Sequence, residues 1–158
     1  TFQLITQVAG RAGRGDRPGK VLIQTYHPYH YALQHACAQD YVGFYNEEIN
    51  HRKNHSYPPF VALASLLIHG PDLGRVRTDS LELRKQLDLA NEDRKCRILG
   101  PAPAPLARLK GEHRFQLLIK SRSRKQVREL ADAALKAITS KGINLRSVNL
   151  EIDPVSIM

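Results

Sequence analysis

The sequence has few of the residues that build disulfide, metal or membrane scaffolds. It contains two cysteines, Cys37 and Cys96, one methionine and no tryptophan. Two cysteines are too few for a disulfide framework and indicate a reducing compartment. No hydrophobic run reaches the ~18 residues of a membrane span, and no signal-peptide pattern is present. We therefore expect a cytoplasmic protein without a membrane anchor.

Two common phosphate-binding motifs are also missing. The stretch QVAGRAGRGDRPGK ends in Gly-Lys, but Arg14 stands where a P-loop needs its first glycine, and Val21 stands where it needs serine or threonine. A Rossmann fingerprint requires a strand before its glycines, whereas the residues before Gly10 predict a helix. The chain alone therefore offers no loop that could hold the phosphates of ATP together with Mg²⁺.

The same stretch instead carries two arginines, Arg11 and Arg14, in a glycine-rich setting. Within a helix they would share one face, with Gln7 one turn earlier. A guanidinium group is planar, permanently charged and able to clamp two phosphate oxygens. The pattern fits an arginine-finger element that acts on a nucleotide held by another segment. The alternative is a helix end with exposed arginines and a glycine C-cap.

Positive charge is concentrated in one segment. Residues 94–128 hold eleven lysines and arginines against one acid, Glu112, while the rest of the chain holds thirteen basic and fourteen acidic residues. Such clustering is typical of a polyphosphate partner. We expect a DNA-binding surface that contacts the phosphate backbone, formed by Arg108, Lys110, Arg114, Lys120, Arg122, Arg124 and Lys125. The alternative is a solvated basic surface without a partner.

Hydrophobic periodicity predicts an α/β (α+β) chain in three parts, residues 1–26, 27–59 and 60–158. The first part is expected to be a helix over 1–14 and a strand over 20–25, and the second is expected to be helical. The third is expected to follow the order β-α-β-β-α-β, a split-βαβ sandwich with two helices on one sheet face. A hairpin turn at 111–113 would place Arg108, Lys110, Arg114 and Lys120 on one basic surface. Three histidines and Cys37 lie close together between residues 27 and 37, but their spacing argues against zinc, and we expect no metal site.

Several motifs carry a resemblance to a known family. Gln7–Arg14, which reads QVAGRAGR, resembles motif VI of superfamily 2 helicases. Together with Tyr57-Pro-Pro-Phe60, Leu99–Pro105 and Ile152-Asp-Pro154, it is similar to the PriA family of replication-restart DNA helicases. The resemblance implies that residues 1–26 end the second RecA-like helicase lobe, that 27–59 form a helical connector and that 60–158 form a C-terminal DNA-binding domain. It also implies catalytic roles at the ATP γ-phosphate for Arg11 and Arg14, which Gln7 would position.

The resemblance further implies a function for the intact protein. It would be an ATP-dependent 3′–5′ DNA helicase that binds forked DNA and assembles the primosome with single-stranded-DNA-binding protein and other primosome proteins. ATP and Mg²⁺ would be bound by an upstream part, and the family's zinc would belong to an upstream cysteine cluster. We expect this fragment to bind DNA without ATPase activity. The alternative is a stand-alone, non-enzymatic module that binds nucleic acid or docks a protein.

Overall fold

The computed structural model describes residues 1–12 and 19–154, and the chain divides into two compact units, Thr1–His55 and Ser56–Met158. The expected α+β class is confirmed, because helices accompany a four-stranded antiparallel sheet. Among the described residues, no helix combines the length and apolar character needed to cross a membrane.

Unit 1 contains three helices, α1 (Phe2–Ala9), α2 (Tyr31–Cys37) and α3 (Tyr41–Asn54). Phe2 stacks on Phe44 with ring centroids 4.3 Å apart, and Ala32 and Ala36 complete the buried centre of this unit. The side chain of Asp40 caps α3 by accepting a hydrogen bond from the Gly43 N–H. The two helices expected between residues 27 and 59 are therefore present.

A tyrosine–carboxylate contact joins α2 and α3. The Tyr31 hydroxyl donates a hydrogen bond to Glu48, which also accepts one from Arg52. Burial, followed by the hydrogen bond to Glu48, raises the pKa of Tyr31 to about 12. The tyrosine therefore stays neutral, and a donor, throughout the physiological pH range.

Two expectations for the first part of the chain are wrong. The helix ends at Ala9 instead of continuing to residue 14. Residues 20–25 form no strand, and the Leu22 side chain is 97% exposed. A β-strand needs a neighbouring strand to satisfy its backbone groups, and none of the described residues of unit 1 forms one. Residues 20–25 have the apolar and β-branched side chains that favour a strand, but this propensity does not provide a neighbouring strand to pair with.

Unit 2 has the predicted order of strands and helices, with one additional 3₁₀ turn. Its sheet order is β2-β3-β1-β4, and every neighbouring pair is antiparallel. The elements are β1 (Ala62–Gly70), α4 (Leu73–Ala90), β2 (Arg97–Leu109), β3 (Glu112–Ser121), α5 (Arg124–Ser140), the 3₁₀ turn (Leu145–Ser147) and β4 (Val148–Ile152).

Both long helices cover the same face of this sheet. Leu83 of α4 and Ile138 of α5 pack into one core with Leu66 of β1 and Leu117 of β3, and all four side chains are fully buried. Both helices are capped at their N-termini, since Asp72 accepts from the Arg75 N–H and Ser123 from the Gln126 N–H. The opposite sheet face, which α4 and α5 do not cover, is called the helix-free face below.

Candidate nucleic-acid interface

The turn between β2 and β3 presents a lysine at the tip of the hairpin. Leu109 pairs with Glu112, so Lys110 and Gly111 form a two-residue turn with φ angles of +51° and +87°. Two positive φ values are typical of a type I′ turn, whose twist matches that of the strands. The predicted turn at 111–113 was therefore placed one residue too late, and Lys110 lies in the turn instead of on the strand beside Arg108.

Arg108 and Arg114 lie on opposite faces of the hairpin. Residues directly opposite in an antiparallel pair project to the same side, and Arg108 is opposite His113. Arg114 follows His113 along β3 and so projects to the other side, the helix-free face. The prediction of a single basic face is wrong. Its error comes from the turn: a three-residue turn at 111–113 would have set Arg108 opposite Gln116, on the face of Arg114, whereas the two-residue turn sets it opposite His113.

Lys120 is not part of an exposed basic surface, contrary to prediction. The residue is 8% exposed, and its Nζ lies 3.6 Å from the centroid of the Tyr57 ring. Burial, and secondarily the positive charge of Arg97, lower the pKa of Lys120. The alternation along β3 correctly placed Lys120 on the helix-free face, but it gave no sign that Tyr57 would lie against it.

Arg124 has a structural partner. Its Nε donates to the Asp153 Oδ2 over 2.7 Å, and the Asp153 Oδ1 accepts from the Leu63 N–H over 2.9 Å. Burial would raise the pKa of Asp153, but the Leu63 hydrogen bond and the Arg124 ion pair outweigh it and lower the pKa. Arg124 thus joins the start of α5 to the ends of β1 and β4. Arg122 and Lys125 are exposed beside it.

The predicted basic residues therefore form two clusters instead of one. The tip cluster comprises Arg108, Lys110 and Arg114, and the far cluster comprises Arg97, Lys120, Arg122, Arg124 and Lys125. Arg114 and Lys120 are six residues apart on β3, a separation of about 20 Å at the usual strand rise. Sequence reasoning did not assign Arg97 to the site. The strand register places Arg97 directly opposite Lys120. Only a correct pairing of β2 with β3 would have shown from the sequence that Arg97 belongs to this cluster.

A polar cleft of about 460 Å³ lies near the hairpin tip, but it does not extend the tip cluster. Its lining holds two arginines, Arg75 and Arg146, against three acids, Asp72, Asp79 and Glu112, so it adds no net positive charge. Glu112 is held by His69, whose Nδ1 lies 2.8 Å from the carboxylate. The positive surface at this end of the sheet is therefore confined to the three tip residues.

The arginine-finger residues are only partly described. Gln7 is an exposed residue of α1, and Arg11 is exposed in a turn just beyond the helix, where its N–H donates to the Val8 carbonyl over 3.1 Å. Gln7 and Arg11 therefore do not belong to one continuous helix as predicted. Arg14 lies outside the described residues.

A histidine of unit 1 lies between two carboxylates. His35, one of the histidines considered above, contacts the carboxylates of Asp40 and Glu47, each at 3.1 Å. Within residues 1–12 and 19–154, no group of three or more His, Cys, Asp or Glu side chains is arranged to hold a metal ion.

Comparison with known proteins identifies the family. A family model described as the primosomal protein N C-terminal domain matches residues 53–155, which is more than half of the chain. The chain belongs to this family. The expected resemblance to PriA is confirmed by relatives that carry that name.

Three relatives show how much of the chain the similarity covers. Replication restart protein PriA of Bacillus subtilis (strain 168) is 38% identical over 153 residues, covering 97% of the chain and 19% of the relative. The proteins of the same name from Synechocystis sp. and Chlamydia muridarum are each 36% identical, over 99% and 98% of the chain and 18% and 20% of the relative. The chain thus spans about a fifth of the length of the curated relatives it matches.

The family match and the structural units nearly coincide. The primosomal protein N C-terminal domain match begins at residue 53, and unit 2 begins at Ser56. Both basic clusters lie inside the match, whereas Gln7 and Arg11 lie before it. The predicted arginine-finger residues and the basic clusters thus belong to different parts of the chain.

Proposed function

We propose that this chain acts in replication restart, as the C-terminal part of an ATP-dependent 3′–5′ DNA helicase that binds forked DNA and assembles the primosome. The observation that carries the proposal is the family match over residues 53–155, together with relatives named replication restart proteins. In this proposal residues 1–26 end a RecA-like lobe, 27–59 form a connector, and 60–158 are the DNA-binding domain. Single-stranded-DNA-binding protein and other primosome proteins are the proposed protein partners, in the cytoplasm.

DNA binding is proposed for the basic residues of unit 2. Arg108 and Lys110 of the tip cluster are exposed, and Arg114 is partly exposed. In the far cluster, Arg97, Arg122 and Lys125 are exposed, with Lys125 Nζ 3.8 Å from Glu129 Oε1. Arg124 and Lys120 have the protein partners described above. Arginine and lysine contacts of this kind act on phosphates and carry little sequence information. Backbone binding without base readout is the expected mode.

A nucleotide role is proposed for Gln7, Arg11 and Arg14 in a longer protein. Support comes from the motif itself and from the exposure of the Arg11 side chain, which leaves its guanidinium accessible to an anion. ATP, Mg²⁺ and zinc would be held by residues outside this chain, as the resemblance implies and as the lack of a P-loop sequence favours. The chain alone is therefore expected to show no ATPase activity.

The affinity of the 158-residue chain for DNA, measured by fluorescence anisotropy at several salt concentrations, tests the proposal. With about three phosphate contacts, log K should fall against log salt with a slope near −3. Arg114→Gln should weaken binding and make the slope shallower by about one. Arg77→Gln, at an exposed position of α4, is the matched control and should change neither quantity. Salt-independent binding, or equal effects of the two substitutions, would refute the electrostatic interface.

A stand-alone binding module is the second candidate function. It is favoured by the compactness of unit 2, which has its own core and separates from unit 1. In that case the arginines near the N-terminus would have no part in ATP turnover by any longer protein. The effect of Arg14 substitution on ATP turnover, discussed below, separates the two candidates.

A further inference from the structure

We infer that the DNA bound by unit 2 is a duplex that lies along β2 and β3 on the helix-free face and contacts both basic clusters at once. The inference rests on the proposed DNA-binding function and specifies its substrate. It requires two separate phosphate contacts, one at Arg114 and one at Arg97, and no phosphate contact on the surface between these two arginines.

The positions of the two arginines follow from the strand register. Arg97 is opposite Lys120, and Lys120 shares the face of Arg114 because an even number of residues separates them on β3. Arg97 is exposed and Arg114 is partly exposed. The helix-free face therefore carries an arginine at each end of the β2–β3 pair, about 20 Å apart. The alternation along β3 also places Glu112 on this face beside Arg114, with its carboxylate held by His69.

The surface between the two ends is uncharged. Leu99 is opposite Leu118, and the Gln116 amide donates to the Ser65 hydroxyl over 2.8 Å, so its amide is already engaged. Farther across the face, β4 contributes exposed Asn149 and Glu151. The negative charge of Glu151 disfavours a polyanion over β4 and favours a path over β2 and β3.

This arrangement does not suit a single strand. Surfaces that bind single strands combine a continuous basic groove with aromatic side chains on which bases stack. Among the described strand residues of the helix-free face there is no phenylalanine, tyrosine or tryptophan. Phe115 packs against the core on the other side, and the Tyr57 ring already contacts Lys120. A flexible strand would also lose conformational entropy when stretched over the neutral middle.

A duplex meets the same geometry without that loss. Double-stranded DNA has a persistence length of about 150 base pairs, so it behaves as a rigid rod over short distances. A separation of about 20 Å corresponds to roughly six base pairs at 3.4 Å per pair. A rigid duplex that contacts Arg97 and Arg114 needs no phosphate contact at the leucine-containing middle of the face. The uncharged middle between two arginines fits this mode of binding.

The test compares three DNA molecules bound to the complete 158-residue chain: a duplex of about 16 base pairs, one of its single strands, and a stem-loop whose stem has about four base pairs. The variants are Arg114→Gln, Arg97→Gln and the double substitution, with Arg77→Gln as the control. For the long duplex, each single substitution should weaken binding about 3- to 10-fold. The double substitution should weaken it further and make the salt slope shallower by about two.

The short stem cannot reach both clusters, so the double substitution should weaken its binding no more than the more harmful single one. The single strand should bind at least about tenfold more weakly than the long duplex. Equal affinity of the single strand and the duplex, with the same sensitivity to both substitutions, would overturn the inference and leave the DNA-binding function intact. So would a long-duplex affinity that depends on Arg114 but not on Arg97. Failure of all three DNA molecules to bind at low salt would overturn the DNA-binding function itself.

Folding of each variant is checked by circular dichroism. If Arg97→Gln lowers the melting temperature, Arg97→Lys retains the charge at that position. It should restore duplex affinity if the phosphate contact is the cause. Loss of duplex affinity in a correctly folded Arg97→Lys variant, equal to the loss in Arg97→Gln, would contradict a role based on charge.

Discussion

Lys110 occupies a backbone conformation that suits other residues better. Its φ of +51° lies in the left-handed region, which costs a non-glycine residue about 1 kcal/mol. At this position of a type I′ turn, asparagine followed by glycine is strongly preferred, and Gly111 already follows. Its charge at the hairpin tip belongs to the surface proposed above to bind DNA, so strain and charge at this position can be tested separately.

Two substitutions separate strain from charge at this position. Lys110→Asn should raise stability by up to about 1 kcal/mol, increasing Tm by a few degrees, and should weaken DNA binding because the ammonium group is lost. Lys110→Gln removes the same charge without the conformational gain, so it should weaken DNA binding equally and leave Tm nearly unchanged. Thermal unfolding and anisotropy measurements check both. Unchanged DNA affinity in both variants would remove Lys110 from the interface.

At the level of elements, Asp153 connects β1, β4 and the start of α5. Its pKa is lowered in the folded state, so the stability it contributes is present above the unfolded pKa of about 3.9 and is lost as pH falls through the lower folded pKa. Asp153→Asn should lower the free energy of unfolding at pH 7 by less than about 1 kcal/mol, since Arg124 is exposed. The variant should then lose less stability than the unsubstituted protein when the pH falls below 4. Urea unfolding at pH 7 and pH 3 measures both effects.

Asp132→Asn is the control for this acid dependence. Asp132 also faces an arginine of α5, but its carboxylate is 3.9 Å from Arg128 and half exposed. Because this contact is long and exposed to solvent, its substitution should lower stability less than Asp153→Asn does at pH 7. An acid response of Asp153→Asn identical to that of the unsubstituted protein would show that the carboxylate contributes nothing through its ionisation.

Gly100 fixes the first irregularity of β2. Its φ is +90°, and a Cβ at this position would lie 2.6 Å from the Gln116 carbonyl oxygen on β3. Gly100→Ala should therefore lower the free energy of unfolding by about 2–4 kcal/mol, from backbone strain and a clash with the neighbouring strand. Gly111→Ala has a similar φ of +87° but open space around the Cβ, and should cost only about 1 kcal/mol. Urea denaturation of both variants tests the difference.

These same elements show what the sequence could and could not predict. The strands, helices and caps of unit 2 follow from periodicity and from the side chains of Asp72 and Ser123, which act locally. The placement of Arg108 and Arg114 on opposite faces depends on a turn one residue earlier than predicted, and the burial of Lys120 depends on Tyr57, which is distant in sequence. The segment at 20–25 was predicted as a strand because propensity does not report whether a partner strand exists. The arginine-finger roles and the three-part division of the chain stay predictions.

At the scale of the whole molecule, the proposal assigns ATP turnover and DNA binding to different parts of the chain. In a longer protein that contains this chain, Arg14→Ala should reduce ATP turnover by roughly 10³-fold, as for loss of an arginine finger, and change DNA affinity less than twofold. Arg114→Ala should weaken DNA binding and leave DNA-independent ATP turnover unchanged. ATPase assays and anisotropy on the same preparations measure both.

An outcome in which Arg14→Ala leaves ATP turnover intact would favour the stand-alone module. ATP hydrolysis by the 158-residue chain alone that survives Arg11→Ala would contradict the helicase assignment, because the chain has no P-loop. These results do not depend on the duplex inference, which concerns only the DNA partner of unit 2.

The proline-rich β2 strand has a consequence for the behaviour of the protein in concentrated solution. β2 is an edge strand, and Pro101, Pro103 and Pro105 have no N–H to offer a neighbouring molecule. Two register irregularities bend the same edge, and an interrupted edge is a poor template for intermolecular β-pairing. The side of the sheet next to the proposed DNA path is thereby protected against aggregation, even when no nucleic acid covers it.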